Sequence, residues 1–290
     1  MTALVRYMAP GTDSVRVGVA DEGRVAPLAG VASMAHLLAQ PIAEIRALVD
    51  AADPDHGAEL AEVRLPPPID GTTPVWAAGV TYLISRDARI EESTQDDVYT
   101  LVYDAPRPEL FFKAQAHHVV TDGDPVGRRS DSTNDTPEPE LALVLNAFGE
   151  TVAYTVANDM SSRSIEGENP LYLPQAKMFA GCCVLGPRLR LAWEVPEPRS
   201  LTIRMRILRG DAVVFDGTAS TARLKRSFDE LVEHLLRALD FPTGAVLSTG
   251  TCLVPALDAP VVDGDEITIS IDGIDTITNT VTPTDRLMAR

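Results

Sequence analysis

Two glutamates, Glu138 and Glu140, stand two residues apart where an unbroken apolar run begins at residues 141–145 (LALVL). A short apolar run of this kind reads as a strand, and side chains two apart on a strand share a face. Both carboxylates therefore point the same way. A short turn stretch, 146–150 (NAFGE), leads into a second β-rich run, 151–156 (TVAYTV). A hairpin made of the two runs returns Asn158 and Asp159 to the start of the first strand. Three carboxylates thus converge: Glu138, Glu140 and Asp159. Like charges resist sharing a small site unless a cation joins them. All-oxygen ligation suits a hard divalent metal, Mg²⁺ first, with Mn²⁺ or Ca²⁺ as substitutes. The spacing alone is equally compatible with two strand-edge carboxylates and a turn aspartate.

The composition narrows the function classes. The 290 residues suffice for one large domain, or a small one plus a larger one. A net charge of −17 disfavours nucleic acid as a partner, because such a surface repels phosphate. An anionic substrate then needs a locally positive pocket. Cys182, Cys183 and Cys252 form no disulfide framework and read as buried free thiols of a reducing, cytoplasmic protein. No apolar stretch is long enough for a membrane span, and no signal-peptide pattern opens the chain.

Short β-rich runs at 4–7, 15–20 and 25–28 precede two short helical segments, 34–38 and 42–51. A breaker-rich connection with Pro66, Pro67 and Pro68 marks a boundary, giving a small N-terminal domain (1–68) and a larger domain (69–290). The charged segment 85–98 reads as a helix, either a lid or a solvated surface helix. In 109–113 (ELFFK), Glu109, Phe111 and Lys113 share a strand face. His117 and His118 read as surface or turn residues. Lys177 lies in a charge-poor segment downstream of the carboxylates, as an ion-pair partner or as a base with a tuned pKa. The stretch 201–218 alternates as a hairpin turning at Arg209-Gly210. Residues 228–239 have helical apolar spacing with Ser227 as N-cap. The small-residue loop 248–251 (STGT) offers amides and hydroxyls to a carboxylate, or is a plain turn.

Longer phrases carry a resemblance. They are RPELFFKA (107–114), RSDS (129–132), PEPELALVL (137–145), ENPLYLPQAK (168–177), AGCCVLGP (180–187) and STGTCLVP (248–255). With them, Asp159, Ser161 or Ser162, and Arg163 form a D-x-S-x-R context. From about Val75 onward the chain resembles the fumarylacetoacetate hydrolase superfamily, and within it the 2-keto-3-deoxy-D-arabinonate dehydratase type. The resemblance implies an α+β fold, a small N-terminal domain followed by a β-rich catalytic domain built as a mixed β-sandwich roll. It implies Glu138, Glu140 and Asp159 as metal ligands and Mg²⁺ as the cofactor. It implies Lys177 and Glu109 as catalytic residues. Lys113, Arg163, Tyr172, Gly250 and Thr251 would bind substrate, a small 2-keto acid, in a homodimer or homotetramer.

One departure separates reactions within the superfamily. Its hydrolases carry a histidine that helps activate water near a G-x-N-Y-type motif. Here Gly79-Val80-Thr81-Tyr82 continues without one. The expectation is therefore dehydration of a 2-keto-3-deoxy sugar acid, for the pentonate giving 2,5-dioxopentanoate and water. The dehydratases named above have a glutamate after the tyrosine, where this chain has Leu83, so the sugar acid itself stays open. Hydrolysis of a C–C bond in a diketo acid is the alternative. A non-catalytic protein that binds acidic metabolites is the third reading.

Overall fold

The computed structural model describes residues 1–53, 57–92 and 96–288, and no side chain at 89 or 91–99. A twelve-stranded mixed sheet dominates it. Its order is Ala58–Glu59, Arg24–Pro27, Val15–Asp21, Ala3–Met8, Arg188–Leu191, Thr151–Asp159, Pro139–Leu145, Ala245–Ser248, Pro74–Gly79 and Glu109–Gln115. Cys183–Leu185 pairs beside the Thr151–Asp159 strand and takes Val119–Val120 as a parallel neighbour. A five-stranded sheet runs Ala212–Ser220, Thr202–Arg209, Glu266–Ile271, Asp275–Pro283 and Val126–Arg128. Short helices flank the sheets. Most pairings are antiparallel, so the molecule is α+β, as expected, and the described residues form no doubly wound parallel sheet.

The central hairpin forms for the reason its sequence indicates. All five residues of 141–145 are fully buried, and removing each Leu or Val from water is worth roughly 1.5–3 kcal/mol. The turn closes on Asn146, whose side-chain oxygen accepts the Phe148 and Glu150 amides at 3.1 and 2.9 Å. Gly149 supplies the left-handed residue there (φ 76°).

Other expectations meet their counterparts. Thr202–Arg209 and Ala212–Ser220 form a hairpin. Helix Phe228–Leu236 buries Leu231 and Leu235, and the Ser227 hydroxyl caps it by accepting the Glu230 amide at 3.0 Å. His117 and His118 are exposed. The 85–98 segment is two helices, Leu83–Glu92 and Asp96–Asp104, with residues 93–95 outside the described set. Ala3–Met8 pairs with Arg188–Leu191, so the first strands extend the same sheet that carries the central hairpin. The division at residue 68 is retained as a proposal about folding units.

Candidate active site

The hairpin register builds the carboxylate cluster. Pro139 lies opposite Asn158, and Glu140 opposite Ala157. The Asp159 amide donates to the Glu138 carbonyl at 2.9 Å. The Asn158 side chain accepts the Glu138 amide at 3.1 Å, pinning the residue just before the strand. One carboxylate oxygen from each of Glu138, Glu140 and Asp159 consequently lies within 4.8 Å of the others, and all three residues are buried. Ligand oxygens of an octahedral Mg²⁺ sit about 2.9–4.2 Å apart. The donor set, all oxygen and close to that size, fits a hard divalent cation.

Burial, followed by the charges of Asp159 and Glu138, pushes the Glu140 carboxyl up to about 8. The protein restrains this group with two donors to a single oxygen: the Ser248 hydroxyl and the Gly250 amide, the latter at 2.8 Å. The 248–251 loop thus holds a carboxylate through an amide and a hydroxyl, and that carboxylate is Glu140's own. Gly250 has φ 96°, and a Cβ there would meet the Thr81 hydroxyl at 1.9 Å. Only glycine fits that close approach. The Thr251 hydroxyl is engaged with the Pro139 and Leu253 carbonyls at 3.2 and 3.0 Å.

Two buried lysines face the cluster. The Lys177 ammonium donates to Glu138 at 2.7 Å, to Asp159 at 3.0 Å and to the Ser161 hydroxyl, and it lies 5.4 Å from the centre of the Phe111 ring. Lys113 pairs with Asp159 and donates to the carbonyls of Met160 and Lys177 at 2.9 and 2.6 Å. Burial pulls the Lys113 amine down, but the Asp159 charge outweighs it together with smaller contributions, leaving the group above its ordinary range.

Ser161 and Ser162, interchangeable in the sequence motif, have separate tasks. Ser161 accepts from Lys177, whereas Ser162 caps helix Arg163–Glu168 through the Ile165 amide. Arg163 is buried and donates to the Pro255 carbonyl at 2.8 Å. Arg129 reaches the Gln175 carbonyl at 2.8 Å and so steadies the short helix Leu173–Lys177. Tyr172 is 40 % exposed.

Glu109 opens the edge strand opposite Gly79. A Cβ on Gly79 would lie 2.2 Å from a Glu109 carboxylate oxygen. The bare backbone is what admits the carboxylate. Glu109 also lines a cavity of about 370 Å³ together with Arg107, Glu166 and Leu173. Val80, next in the chain, takes φ 51°, a rare conformation for a β-branched residue, and buried Tyr82 follows it.

Sequence reasoning did not single out Ser248 as a donor to Glu140, nor the carbonyl contacts of Lys113. One signal was available. The chain has 22 arginines and only three lysines, Lys113, Lys177 and Lys225, and two of those three meet at this site.

A buried three-carboxylate cluster at the mouth of a β-hairpin, faced by lysines, offers the donor set that a metal-assisted enzyme site requires. The family model for the C-terminal domain of fumarylacetoacetate hydrolase matches residues 89–282, and the chain belongs to that family. Within it, the chain is 47% identical over 259 residues to a Haloferax volcanii protein named "Probable 2-keto-3-deoxyxylonate dehydratase", covering 88% of this chain and 86% of that protein. It is 40% identical over 223 residues to the 2-dehydro-3-deoxy-D-arabinonate dehydratase of Saccharolobus solfataricus, covering 76% and 74%. A solved structure of 2-keto-3-deoxy-D-arabinonate dehydratase complexed with magnesium and 2,5-dioxopentanoate matches with a TM-score of 0.82. The identity there is 32%, covering 98% of this chain and 99% of that one.

Proposed function

We propose that this chain is a Mg²⁺-dependent hydro-lyase that converts a 2-keto-3-deoxy-pentonate to 2,5-dioxopentanoate and water. The observation that carries the reading is the Lys177 amine, held at 2.7 and 3.0 Å from two members of the buried carboxylate triad. The dehydratases above match most of the chain. Arabinonate and xylonate differ at C2 and C3, and both centres vanish in the 2-keto-3-deoxy acid. In the D series the two relatives' substrate names therefore describe one compound.

Glu138, Glu140 and Asp159 would hold Mg²⁺, which would supply positive charge to polarise the keto group and acidify C3. Lys177 would lose a proton to solvent as Glu138 and Asp159 take up the metal, and the neutral amine would then take a proton from C3 to give the enolate. Glu109 hands a proton to the departing C4 hydroxyl, directly or through water, and a C3=C4 double bond results. A proton then leaves C5 and one returns to C3, moving the double bond to C4=C5 as the enol of the aldehyde. Protonation at C4, with loss of the enol O–H proton, completes the aldehyde product. Arg163 and Tyr172 position the acid; Gly250 and Thr251, whose amide and hydroxyl go to Glu140 and to the Pro139 and Leu253 carbonyls, hold the metal side of the site instead, and Lys113 is considered below.

Hydrolysis has less support. Residues 79–116 contain no histidine, and His117 and His118 are exposed. A panel of 2-keto-3-deoxy acids incubated with Mg²⁺ tests the reading through formation of the semialdehyde. Two carboxylic fragments from a diketo acid, with no semialdehyde from any sugar acid, would replace dehydratase by hydrolase. We also propose a homodimer or homotetramer, checked by light scattering, and a cytoplasmic location, which the three free buried cysteines support. Among the described residues, no helix is long and apolar enough to cross a membrane.

A further inference from the structure

We infer that Lys113 is a positioning residue that clamps the metal ligand Asp159 to the backbone of the base-bearing Lys177, and does not touch substrate. This deepens the dehydratase reading and rests on it only for the role given to Lys177. An ammonium has three donors, and Lys113 has three protein partners, two by hydrogen bond and one as an ion pair. They are the carbonyl of Met160 at 2.9 Å, the carbonyl of Lys177 at 2.6 Å, and Asp159. The side chain is 1% exposed. The acceptors belong to two separate elements. Asp159 ends the Thr151–Asp159 strand, with Met160 next, and Lys177 ends the short helix Leu173–Lys177.

The Lys177 carbonyl lies in the last turn of its helix, where backbone acceptors have no intrahelical donor ahead of them and take one from elsewhere. Lys113 supplies one. A single point charge from the edge strand Glu109–Gln115 thereby joins the end of the hairpin to the end of the helix. It sets the distance between a metal-side carboxylate and the amine that acts at C3. Were Lys113 to turn toward a substrate, two carbonyls would lose this donor and Asp159 its buried ion-pair partner. Arginine is no substitute, since its planar fork cannot match three acceptors spread about one nitrogen.

The test uses the full chain with Lys113→Met and Lys113→Arg, with circular dichroism to verify folding. Positioning by Lys113 raises the Kd for Mn²⁺, read by paramagnetic resonance of the free ion, at least tenfold in both variants. At saturating Mg²⁺ it lowers kcat at least 100-fold, keeps KM for the keto acid within threefold, and denies rescue to the arginine variant. A KM raised tenfold or more with unchanged Mn²⁺ affinity would make Lys113 a substrate ligand and overturn the inference. Unchanged kcat and Mn²⁺ affinity would overturn it as well.

Should both variants fail to fold, the wild-type protein still decides. With only three lysines, ¹⁵Nζ-labelled protein gives at most three side-chain ammonium signals, and Lys177→Met assigns the two buried ones. The Lys113 signal should be protected from solvent, move when Mg²⁺ is added, and stay in place when pyruvate is titrated into the Mg²⁺ form. A Lys113 signal that tracks pyruvate saturation would refute the clamp. The Mn²⁺ and resonance measurements hold whether or not the protein dehydrates any sugar acid, so failure of the clamp and failure of the proposed reaction are told apart.

Discussion

Gly79 and Glu109 face each other across paired strands, and the carboxylate of the second occupies the space where the first has no side chain. Gly79→Ala should therefore displace Glu109 without disturbing the carboxylate triad. A misplacement of about 1 Å in a catalytic group costs on the order of 10²-fold in rate. We expect kcat to fall by about that factor while the Kd for Mn²⁺ stays at the wild-type value. Wild-type kcat in this variant would remove Glu109 from the acid role.

Metal dependence follows from the triad. Chelation with EDTA should abolish turnover, Mg²⁺ should restore it, and Mn²⁺ should restore it in part. Glu140→Gln keeps the shape but removes a charge, and the Ser248 and Gly250 donors then meet a neutral amide. Its Mg²⁺ affinity should drop at least tenfold and activity should be lost, as read by titration calorimetry and semialdehyde formation. Full activity of Glu140→Gln in metal-free buffer would end the metal assignment.

The raised pKa of Glu140 fixes two pH trends. In the metal-free protein its carboxyl is pushed up to about 8 from an ordinary 4.5. Metal needs the carboxylate, so below about pH 8 binding expels a proton and the Kd should fall roughly tenfold per pH unit as pH rises. Stability runs the other way. Between about 4.5 and 8 the metal-free folded state holds a proton that the unfolded chain has released, so its contribution weakens with rising pH. Melting in EDTA should give a lower Tm at pH 8 than at pH 6, and saturating Mg²⁺ should narrow the gap. A Tm in EDTA that climbs across this window would contradict the assignment.

Lys177→Met should keep metal binding but lose exchange of the C3 protons into D₂O. Removal of a general base costs about 10²–10⁴-fold, so exchange in the variant should fall by at least 100-fold. Exchange at the wild-type rate would show that another group is the base, and Glu109 would be examined next.

Much of this site is legible in the sequence because its logic is local. The two-residue spacing of Glu138 and Glu140, the apolar run after them and the turn at Asn146 are short-range facts. Together they place Asp159 without any knowledge of the rest of the fold. Lys177 was legible as a lone charge in an apolar stretch. Sheet order was not, because nothing in ALVRYM (3–8) announces a partner at 188–190. The clamp at Lys113 escaped for another reason. Two of its partners are backbone carbonyls, which every residue possesses and no side-chain pattern advertises.

The pairing of Ala3 with Arg190 has a consequence for how the chain is made. A ribosome adds about 5–20 residues per second. The strand Ala3–Met8 thus waits about 10–40 s before the strand that completes its second edge is synthesised. During that interval it has Val15–Asp21 beside it and a single bridge from Met8 to Arg64, and the rest of its other edge is open to any extended chain nearby. Slowing translation before residue 190 should lengthen that exposure and raise the share of nascent chains held by chaperones. Slowing it afterwards should not.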